Sequence, residues 1–248
     1  DKIINDINSS GYGLTFGLHT RIDERVEHIT SRLNVGNIYV NRDQIGAVVG
    51  SQPFGGEGMS GTGPKAGGPY YVSRFKKAPL PEHKLVREDY IDPAKVQVAL
   101  DKAKTDKHTP LETIDMPGPT GETNRWSTFA RGTILCLGPT KADAGKQAKI
   151  AQQMGCAAVC VAPGLDASVG LSGFLARTAL SNLSGFDGVA LWSGVNDLRK
   201  ARQALAERKG PLLPLISTSE MKQLCVLERH LCIDTTAAGG NASLLAAQ

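Results

Sequence analysis

The residues best suited to chemistry lie in a glycine-rich segment, residues 36–69, in which ten of 34 residues are glycine. Backbone of this kind can adopt positive φ angles and turn its N–H groups into a cavity. The N–H groups around Ser60, Gly61 and Thr62, with the Ser60 hydroxyl, can bind a carboxylate through charge-assisted hydrogen bonds. We therefore expect a loop that holds a substrate carboxylate. The alternative is that the glycines only let two loops pack closely.

The same segment contains a literal dinucleotide-binding pattern, G-x-G-x-x-G, at residues 56–61. That motif requires a buried strand that runs directly into it and a helix that begins within it. Here Gln52-Pro53-Phe54 precedes the pattern and Pro64 follows it closely. A phosphate-binding P-loop is excluded as well, because Pro64 stands where the lysine is required. We therefore assign no cofactor-binding residue to this segment.

From Gly11 to Phe75 the sequence resembles the last part of an aldehyde dehydrogenase catalytic domain, in the branch that oxidises glutamate semialdehyde. In that branch this loop holds the α-carboxylate of the substrate, and Phe54 matches an aromatic wall of the aldehyde tunnel. The resemblance therefore implies that Phe54, Ser60, Gly61 and Thr62 bind substrate. The matching stretches are Tyr39-Val40-Asn41-Arg42, Gly46-Ala47, Gln52-Pro53-Phe54-Gly55-Gly56 and Met59-Ser60-Gly61-Thr62-Gly63.

Two later stretches, Gly118-Pro119-Thr120-Gly121-Glu122 and residues 235–244, are similar to the carboxyl-terminal domain of the long forms of the proline utilization A family. Members of that family oxidise proline with FAD and then glutamate semialdehyde with NAD. The resemblance implies both cofactors for a longer parent protein and neither for this chain alone. It also implies that the tail domain packs toward the dehydrogenase site and helps enclose it. The alternative is an assembly or lid module with no ligand of its own.

The catalytic groups of an aldehyde dehydrogenase are a thiolate that attacks the aldehyde and a carboxylate that activates water. The cysteines, at positions 136, 156, 160, 225 and 232, do not lie in a context like the family's nucleophile segment. Four of the five lie in apolar runs, which is typical of buried free thiols, and their spacing does not suit zinc. We therefore assign no catalytic or metal-binding residue and expect this chain alone to be inactive.

The pattern of elements predicts an α/β fold with a Rossmann-like carboxyl-terminal domain that contains a parallel sheet. The resemblance implies that the end of an aldehyde dehydrogenase catalytic domain precedes it. From about Trp126 onward, strands and helices alternate with 23 to 31 residues between strand starts, as in βαβ units. We place the domains at 1–77, 78–125 and 126–248, with the middle stretch a linker that contains one helix. The first tail turn, residues 138–142, carries one glycine where a dinucleotide turn carries three, so we expect a noncatalytic scaffold.

Several elements can be predicted individually. Residues 37–41 read as a strand, and Asp92 followed by Pro93 predicts a helix start. We expect helices at 141–154, 171–183 and 197–208. Tyr70 to Phe75 reads as a strand resembling the family's protruding flap, through which the protein could form a homo-oligomer or dock on the tail. The chain opens on what resembles the end of a helix, so we expect residues upstream.

Charge and hydropathy limit the classes of partner that we expect for this chain. The net charge is +4 in 248 residues, and no cluster of lysine and arginine exceeds three residues, so we expect no nucleic-acid contact. No apolar run approaches the roughly 18 residues that span a bilayer, and a signal peptide is not recognisable, which predicts a cytoplasmic protein without a membrane span. The expected partners are a small-molecule substrate, glutamate semialdehyde, and the rest of the parent chain.

Overall fold

The computed structural model describes residues 1–76, 89–218 and 221–235. Contacts divide the chain into two compact units that alternate along the sequence. The first unit contains Asp1–Lys76, Pro110–Phe129 and the described residues from Leu227 onward. The second contains Ala130–Val226 with the described part of Lys77–Thr109. This grouping differs from the division at 1–77, 78–125 and 126–248, which stays a prediction.

The helices and strands follow one another closely along both units. The helices are α1 (Lys2–Ser9), α2 (Asp23–Thr30), α3 (Pro93–Lys102), α4 (Lys141–Gln153) and α5 (Val195–Ala206). The strands are β1 (Tyr12–Gly13), β2 (Thr15–Leu18), β3 (Asn37–Val40), β4 (Glu57–Gly58), β5 (Pro110–Met116), β6 (Glu122–Ala130), β7 (Thr133–Cys136), β8 (Ala157–Ala162), β9 (Leu171–Ser172), β10 (Gly188–Ala190), β11 (Leu215–Ile216) and β12 (Val226–Asp234). The predicted α/β class is confirmed.

The first unit is built on a mixed sheet with the strand order β2-β3-β12-β6-β5. The first three strands are parallel, with Asn37 on β3 opposite His230 on β12, and β5 runs antiparallel to β6. The four residues of β3 are all buried, which agrees with the strand predicted there. Apolar side chains of α1 and of the segment before β3 pack on this sheet, with Ile4, Leu33 and Val35 at the centre. Strand β3 of this sheet is the first element of the glycine-rich segment.

The second unit contains a parallel sheet with the strand order β11-β10-β7-β8-β9. Counted from its own first strand, this order reads 5-4-1-2-3, the doubly wound arrangement of Rossmann-like folds. The parallel tail sheet expected from the βαβ spacing is therefore confirmed. The Asp92 carboxylate accepts the Ala94 N–H, with Pro93 at the first helical position, so the predicted start of α3 is confirmed too.

The strand predicted at Tyr70–Phe75 is wrong. The structure has a 3-10 helix at Val72–Phe75, preceded by a turn in which the Tyr71 N–H donates to the Gly68 carbonyl. The Ser73 hydroxyl donates to the Tyr70 carbonyl, and the Tyr71 and Phe75 rings meet edge to face at 5.4 Å. These local contacts close a tight turn where the β-forming residue types favour an extended chain.

The helix predicted at 171–183 is also wrong. It is replaced by β9 and a 3-10 helix at Arg177–Ser181. Gly173 adopts a φ of 136°, and Phe174 forms an isolated bridge with Tyr90, so the backbone cannot continue as a helix. The linker expected at 78–125 contains α3 as predicted and, in addition, the whole of β5.

Among residues 1–76, 89–218 and 221–235, no helix combines the length and the apolarity needed to cross a membrane.

In the second unit, Arg177 and Asp197 form a buried ion pair. Arg177 donates from Nε and Nη2 to the Asp197 carboxylate at 3.2 and 3.0 Å, and from Nη1 to the Leu175 carbonyl at 3.1 Å. Both side chains are at most 4% exposed, and the guanidinium lies over the Phe174 ring at 4.5 Å. The pair joins the first turn of α5 to the segment that replaces the predicted helix.

Replacing Arg177 by Met should destabilise this unit by about 3–5 kcal/mol, because it leaves the Asp197 carboxylate buried without its counter-charge. Urea unfolding of the chain measures the loss. Lys141→Met is the matched control: its pair with Asp166 is exposed, so its removal should cost no more than about 1 kcal/mol. Equal losses in the two variants would contradict the assignment.

Candidate functional site

The glycine-rich segment includes β3 near its start, and the chain then returns to the beginning of that strand. A side chain at Gly36 would place its Cβ 1.9 Å from the Gly55 carbonyl oxygen, so only glycine permits this approach. Asn37 secures it, because its side chain donates to the Pro53 carbonyl and accepts the Gly55 N–H at 2.9 and 3.0 Å. The glycines are therefore needed for close packing as well as for any binding role.

Phe54 projects from a short antiparallel bridge with Ala66. The two residues exchange backbone hydrogen bonds of 3.0 and 2.8 Å, which hold the Phe54 backbone in place. The Phe54 side chain is 36% exposed, so its ring presents an apolar face at the surface of the first unit. This position is compatible with the aromatic wall expected from the sequence.

The predicted carboxylate loop lies in the turn after β4. The Ser60 N–H donates to the Glu57 carbonyl and the Gly61 N–H to the Gly58 carbonyl, both at 3.0 Å. Two of the three expected amide donors are thus used within the loop itself. Thr62 is exposed, and in the described ranges its N–H donates to no backbone acceptor.

The Ser60 hydroxyl oxygen accepts the Gly13 N–H at 3.3 Å. A hydroxyl also has one hydrogen to donate, so Ser60 can still offer its O–H to a ligand. The donors that remain for an anion are therefore the Ser60 hydroxyl and the amide and hydroxyl of Thr62.

Lys65 is the buried centre of this segment, with only 2% of its surface exposed. Its ammonium donates to the Gly36 carbonyl at 2.7 Å, to the Asn37 side-chain oxygen at 2.8 Å and to the Gly55 carbonyl. All three protons of the ammonium are thereby used. Burial lowers the pKa of Lys65 to about 7, against the opposing effect of the Glu228 and Glu57 carboxylates.

Strand β12 contributes two buried charged side chains to the loop. The Glu228 carboxylate accepts the Lys65 N–H at 3.0 Å and the Trp126 indole N–H at 2.9 Å. The next residue, Arg229, binds the Glu57 carboxylate through two hydrogen bonds of 2.6 and 3.1 Å. Both ends of the turn that carries Ser60 are therefore tied to one strand of the carboxyl-terminal part of the chain.

A separate polar cluster, formed by Arg42, Gln52 and Glu122, joins the glycine-rich segment to β6. Arg42 donates to one Glu122 oxygen at 2.6 Å, and the Gln52 amide donates to the other at 3.0 Å. The Cys232 thiol on β12 lies 3.5 Å from both donors, and burial raises its pKa to about 11. A thiol with so high a pKa stays protonated at neutral pH and is a poor nucleophile.

The remaining titratable groups near the loop show no catalytic arrangement. Burial, followed by the positive charge of Lys65, lowers the pKa of His230 to about 4, so this imidazole is neutral at pH 7. All five cysteines are free and buried. Within the described ranges, no three His, Cys, Asp or Glu side chains come together as a candidate metal-ion site.

A cavity of about 580 Å³ lies elsewhere in the first unit, beside α2 and the carboxyl ends of β3 and β12. Its lining combines apolar side chains with charges of both signs, and none of the four predicted substrate-binding residues borders it. The lining residues are Thr20, Arg21, Asp23, Glu24, Val26, Glu27, His28, Val40, Asn41, Arg125, Leu231, Ile233 and Asp234.

Sequence reasoning missed Lys65, Glu228 and Arg229 as parts of this site. A lysine between Pro64 and Ala66 in a glycine-rich loop is typical of an exposed position, and nothing local reveals that it is buried. Its acceptors on Gly36 and Asn37 lie about 30 residues earlier, and Glu228 lies 163 residues later. The one available signal is a charged pair, Glu228-Arg229, within a strand whose other residues are mostly apolar.

The sequence is similar to known proteins over its first 78 residues and over nearly its whole length. The profile described as "Aldehyde dehydrogenase family" matches residues 1–78. The 1-pyrroline-5-carboxylate dehydrogenase of Bacillus subtilis is 47% identical over 72 residues, which are 29% of this chain and 14% of that protein.

Longer similarity is found with bifunctional PutA proteins. The Rhizobium meliloti protein is 38% identical over 99% of this chain and 22% of its own length. The Salmonella typhimurium protein is 36% identical over 98% of this chain and 21% of its own length. The chain thus spans about a fifth of these relatives. The structure of Proline Utilization A from Corynebacterium freiburgense matches 94% of this chain and 24% of its own chain, with a TM-score of 0.54. Because the sequence identity is 20%, this likeness shows the fold alone. Residues 1–78 therefore belong to the aldehyde dehydrogenase family, and over nearly its whole length the chain is similar to one stretch of the PutA proteins.

Proposed function

We propose that this chain forms the substrate-carboxylate side of a glutamate-semialdehyde dehydrogenase site within a longer, bifunctional enzyme that oxidises proline to glutamate. The observation that carries the proposal is the fixation of the turn bearing Ser60 by Lys65, Glu228 and Arg229. A turn held on both sides by buried charges is preorganised, which is what a binding loop requires. The names of the PutA and 1-pyrroline-5-carboxylate dehydrogenase relatives supply the substrate class.

The binding step follows from the donors that remain in the loop. Ser60 and Thr62 donate to the two oxygens of the substrate carboxylate, while the Gly61 amide holds the turn closed. Hydrogen bonds to a charged group contribute about 1.5–3 kcal/mol each, enough for selection of a carboxylate-bearing aldehyde. The Phe54 ring packs on the aliphatic part of the substrate and excludes water from it.

The oxidation itself requires groups from the rest of the longer protein. In this reaction a thiolate adds to the aldehyde carbon, a hydride departs, and water activated by a carboxylate hydrolyses the resulting thioester. NAD would supply the hydride acceptor, and FAD would serve proline oxidation at the other site. We infer that the chain alone is inactive and binds neither cofactor, because its cysteines are buried and the turns at 56–61 and 138–142 do not suit a dinucleotide.

The carboxyl-terminal part of the chain has a supporting role in this proposal. Glu122, Glu228 and Arg229 bring it into contact with the glycine-rich segment, and Thr235 closes on the Gly121 carbonyl through both its N–H and its hydroxyl, at 2.7 and 2.6 Å. We propose that these contacts help enclose the aldehyde site. The rest of the stretch at 235–244 lies outside the described residues, and association through Tyr70–Phe75 stays a prediction.

The competing possibility is an assembly module whose glycine-rich loop binds nothing. The use of the Ser60 and Gly61 amides within the turn favours it, because those donors are then unavailable to a ligand. The Ser60 hydroxyl distinguishes the two hypotheses, because in an assembly module it would serve only to accept the Gly13 N–H.

Replacing Ser60 by Ala in the longer enzyme should raise KM for glutamate semialdehyde roughly 10-fold with little change in kcat, because one hydrogen bond to the carboxylate is lost. Steady-state kinetics at saturating NAD measures this. Ser9→Ala, which removes an exposed helix hydroxyl bonded to the Asp6 carbonyl, is the control and should leave KM unchanged. An unchanged KM in both variants would favour the assembly module.

Replacing Lys65 by Met should destabilise the first unit by about 3 kcal/mol at pH 9. The neutral amine present at that pH still donates two hydrogen bonds to the buried acceptors on Gly36, Asn37 and Gly55, and methionine donates none. The folded pKa of about 7 lies below the usual 10.5, so the unfolded chain binds more protons between those values. The difference in free energy of unfolding between wild type and Lys65→Met should therefore increase as pH rises from 7 to 10. Urea unfolding at several pH values tests this.

Lys2→Met, which removes an exposed lysine from α1 in the same unit, should leave the pH dependence unchanged. If wild type and Lys65→Met gave parallel stability curves between pH 7 and 10, the depressed pKa of Lys65 would be disproved.

A further inference from the structure

We propose that Glu228 and Arg229 are positioning residues that set the carboxylate specificity of the aldehyde site, acting on Ser60 and Thr62 through the turn between Glu57 and Lys65. The inference rests on the proposed function and goes beyond it. It assigns selectivity for the substrate to two consecutive residues of β12, which are far from the glycine-rich segment in sequence.

Glu228 fixes the carboxyl end of the turn. One carboxylate oxygen accepts the Lys65 backbone N–H at 3.0 Å, and the other accepts the Trp126 indole N–H at 2.9 Å. The Trp126 side chain is fully buried, so it supplies a rigid point of attachment. A side chain at Gly68 would lie 3.1 Å from the same Glu228 oxygen, which shows how closely the loop is packed against this carboxylate.

Arg229 fixes the amino end of the turn. Its guanidinium binds the Glu57 carboxylate with two hydrogen bonds, donates to the Asn34 side chain at 3.2 Å and stacks on the Phe129 ring at 4.3 Å. The Arg229 and Glu57 side chains are 6% and 5% exposed. A planar guanidinium held on three sides cannot shift without breaking several contacts at once.

The two residues act from opposite sides of one strand. Successive side chains of a strand point to opposite faces, so Glu228 and Arg229 hold Lys65 and Glu57 from two directions. Eight positions separate Glu57 from Lys65, and Ser60 and Thr62 lie between them. With both ends fixed, the turn has few conformations available, and the donors for the carboxylate keep their spacing.

Glu228→Gln is the sharpest test because it keeps the volume and changes one atom. The amide oxygen can still accept the Lys65 N–H, but the amide NH₂ then faces the Trp126 N–H, and two donors meet in a buried site. We expect KM for glutamate semialdehyde to rise roughly 10-fold in the longer enzyme with kcat nearly unchanged. The control is Glu112→Gln on β5, an exposed glutamate in the same sheet.

Discrimination between two aldehydes separates positioning from general destabilisation. The ratio of kcat/KM for glutamate semialdehyde to that for an aliphatic aldehyde of equal length without charged groups should fall roughly 10-fold in Glu228→Gln. Arg229→Lys should lower it in the same way, because lysine cannot bind Glu57 through two parallel hydrogen bonds. Arg25→Lys, an exposed arginine on α2, should leave the ratio unchanged.

A rescue experiment keeps the test informative if Glu228→Gln is poorly folded. Trp126→Phe removes the opposing donor, so the double variant with Glu228→Gln should recover part of the lost ratio. A purely structural effect of the two substitutions would add, and the double variant would then be worse than either single one.

The outcomes distinguish this inference from the function on which it rests. If the wild-type enzyme did not prefer the carboxylate-bearing aldehyde, the carboxylate site itself would be disproved. If the wild type prefers it and Glu228→Gln and Arg229→Lys retain the full preference, the positioning role is overturned while the proposed function stands. Loss of the preference in both variants, with rescue by Trp126→Phe, supports the positioning role.

Discussion

The structure of the glycine-rich segment depends on one buried ammonium group. Lys65 lies at 2% exposure, and its Nζ reaches acceptors on Gly36, Asn37 and Gly55, which bracket the start and middle of the segment. Removing an ammonium from water costs several kcal/mol, so the group is tolerated only where every proton finds an acceptor. The glycines make this possible, because the backbone carbonyls can approach one another without intervening side chains.

The buried charges also tie strand β12 to the aldehyde dehydrogenase segment. Burial lowers the pKa of Lys65, and the Glu228 and Glu57 carboxylates partly offset this effect. Arg229 in turn pairs with the negative charge of Glu57. Strand β12 brings Glu228 and Arg229 into place by pairing in parallel with β3, the strand near the start of the glycine-rich segment. Sheet pairing and charge pairing therefore reinforce each other within one compact unit.

The sequence predicts elements that carry a strong local or periodic signal and fails where a tight turn or a distant partner decides the structure. The start of α3 follows from Asp92 and Pro93, and the parallel sheet of the second unit follows from the βαβ spacing. Strand β12 was missed because Glu228 and Arg229 interrupt its apolar pattern, and their partners are more than 100 residues away. The glycine-rich backbone predicts Ser60, Gly61 and Thr62 as a carboxylate loop, and the resemblance adds Phe54. The donors actually left to Ser60 and Thr62 depend on turn geometry that the sequence does not specify.

The second unit shows the same use of side chains to satisfy backbone groups. Its strand order is that of a nucleotide-binding fold, and the turn after β7 is where a phosphate would meet backbone N–H groups. The Gln147 side chain occupies that position: its oxygen accepts the Gly138 N–H at 3.0 Å and its NH₂ donates to the Gly138 carbonyl at 2.8 Å. Because Gln147 is fully buried, a phosphate would have to displace a satisfied amide, which favours a scaffold over a nucleotide site.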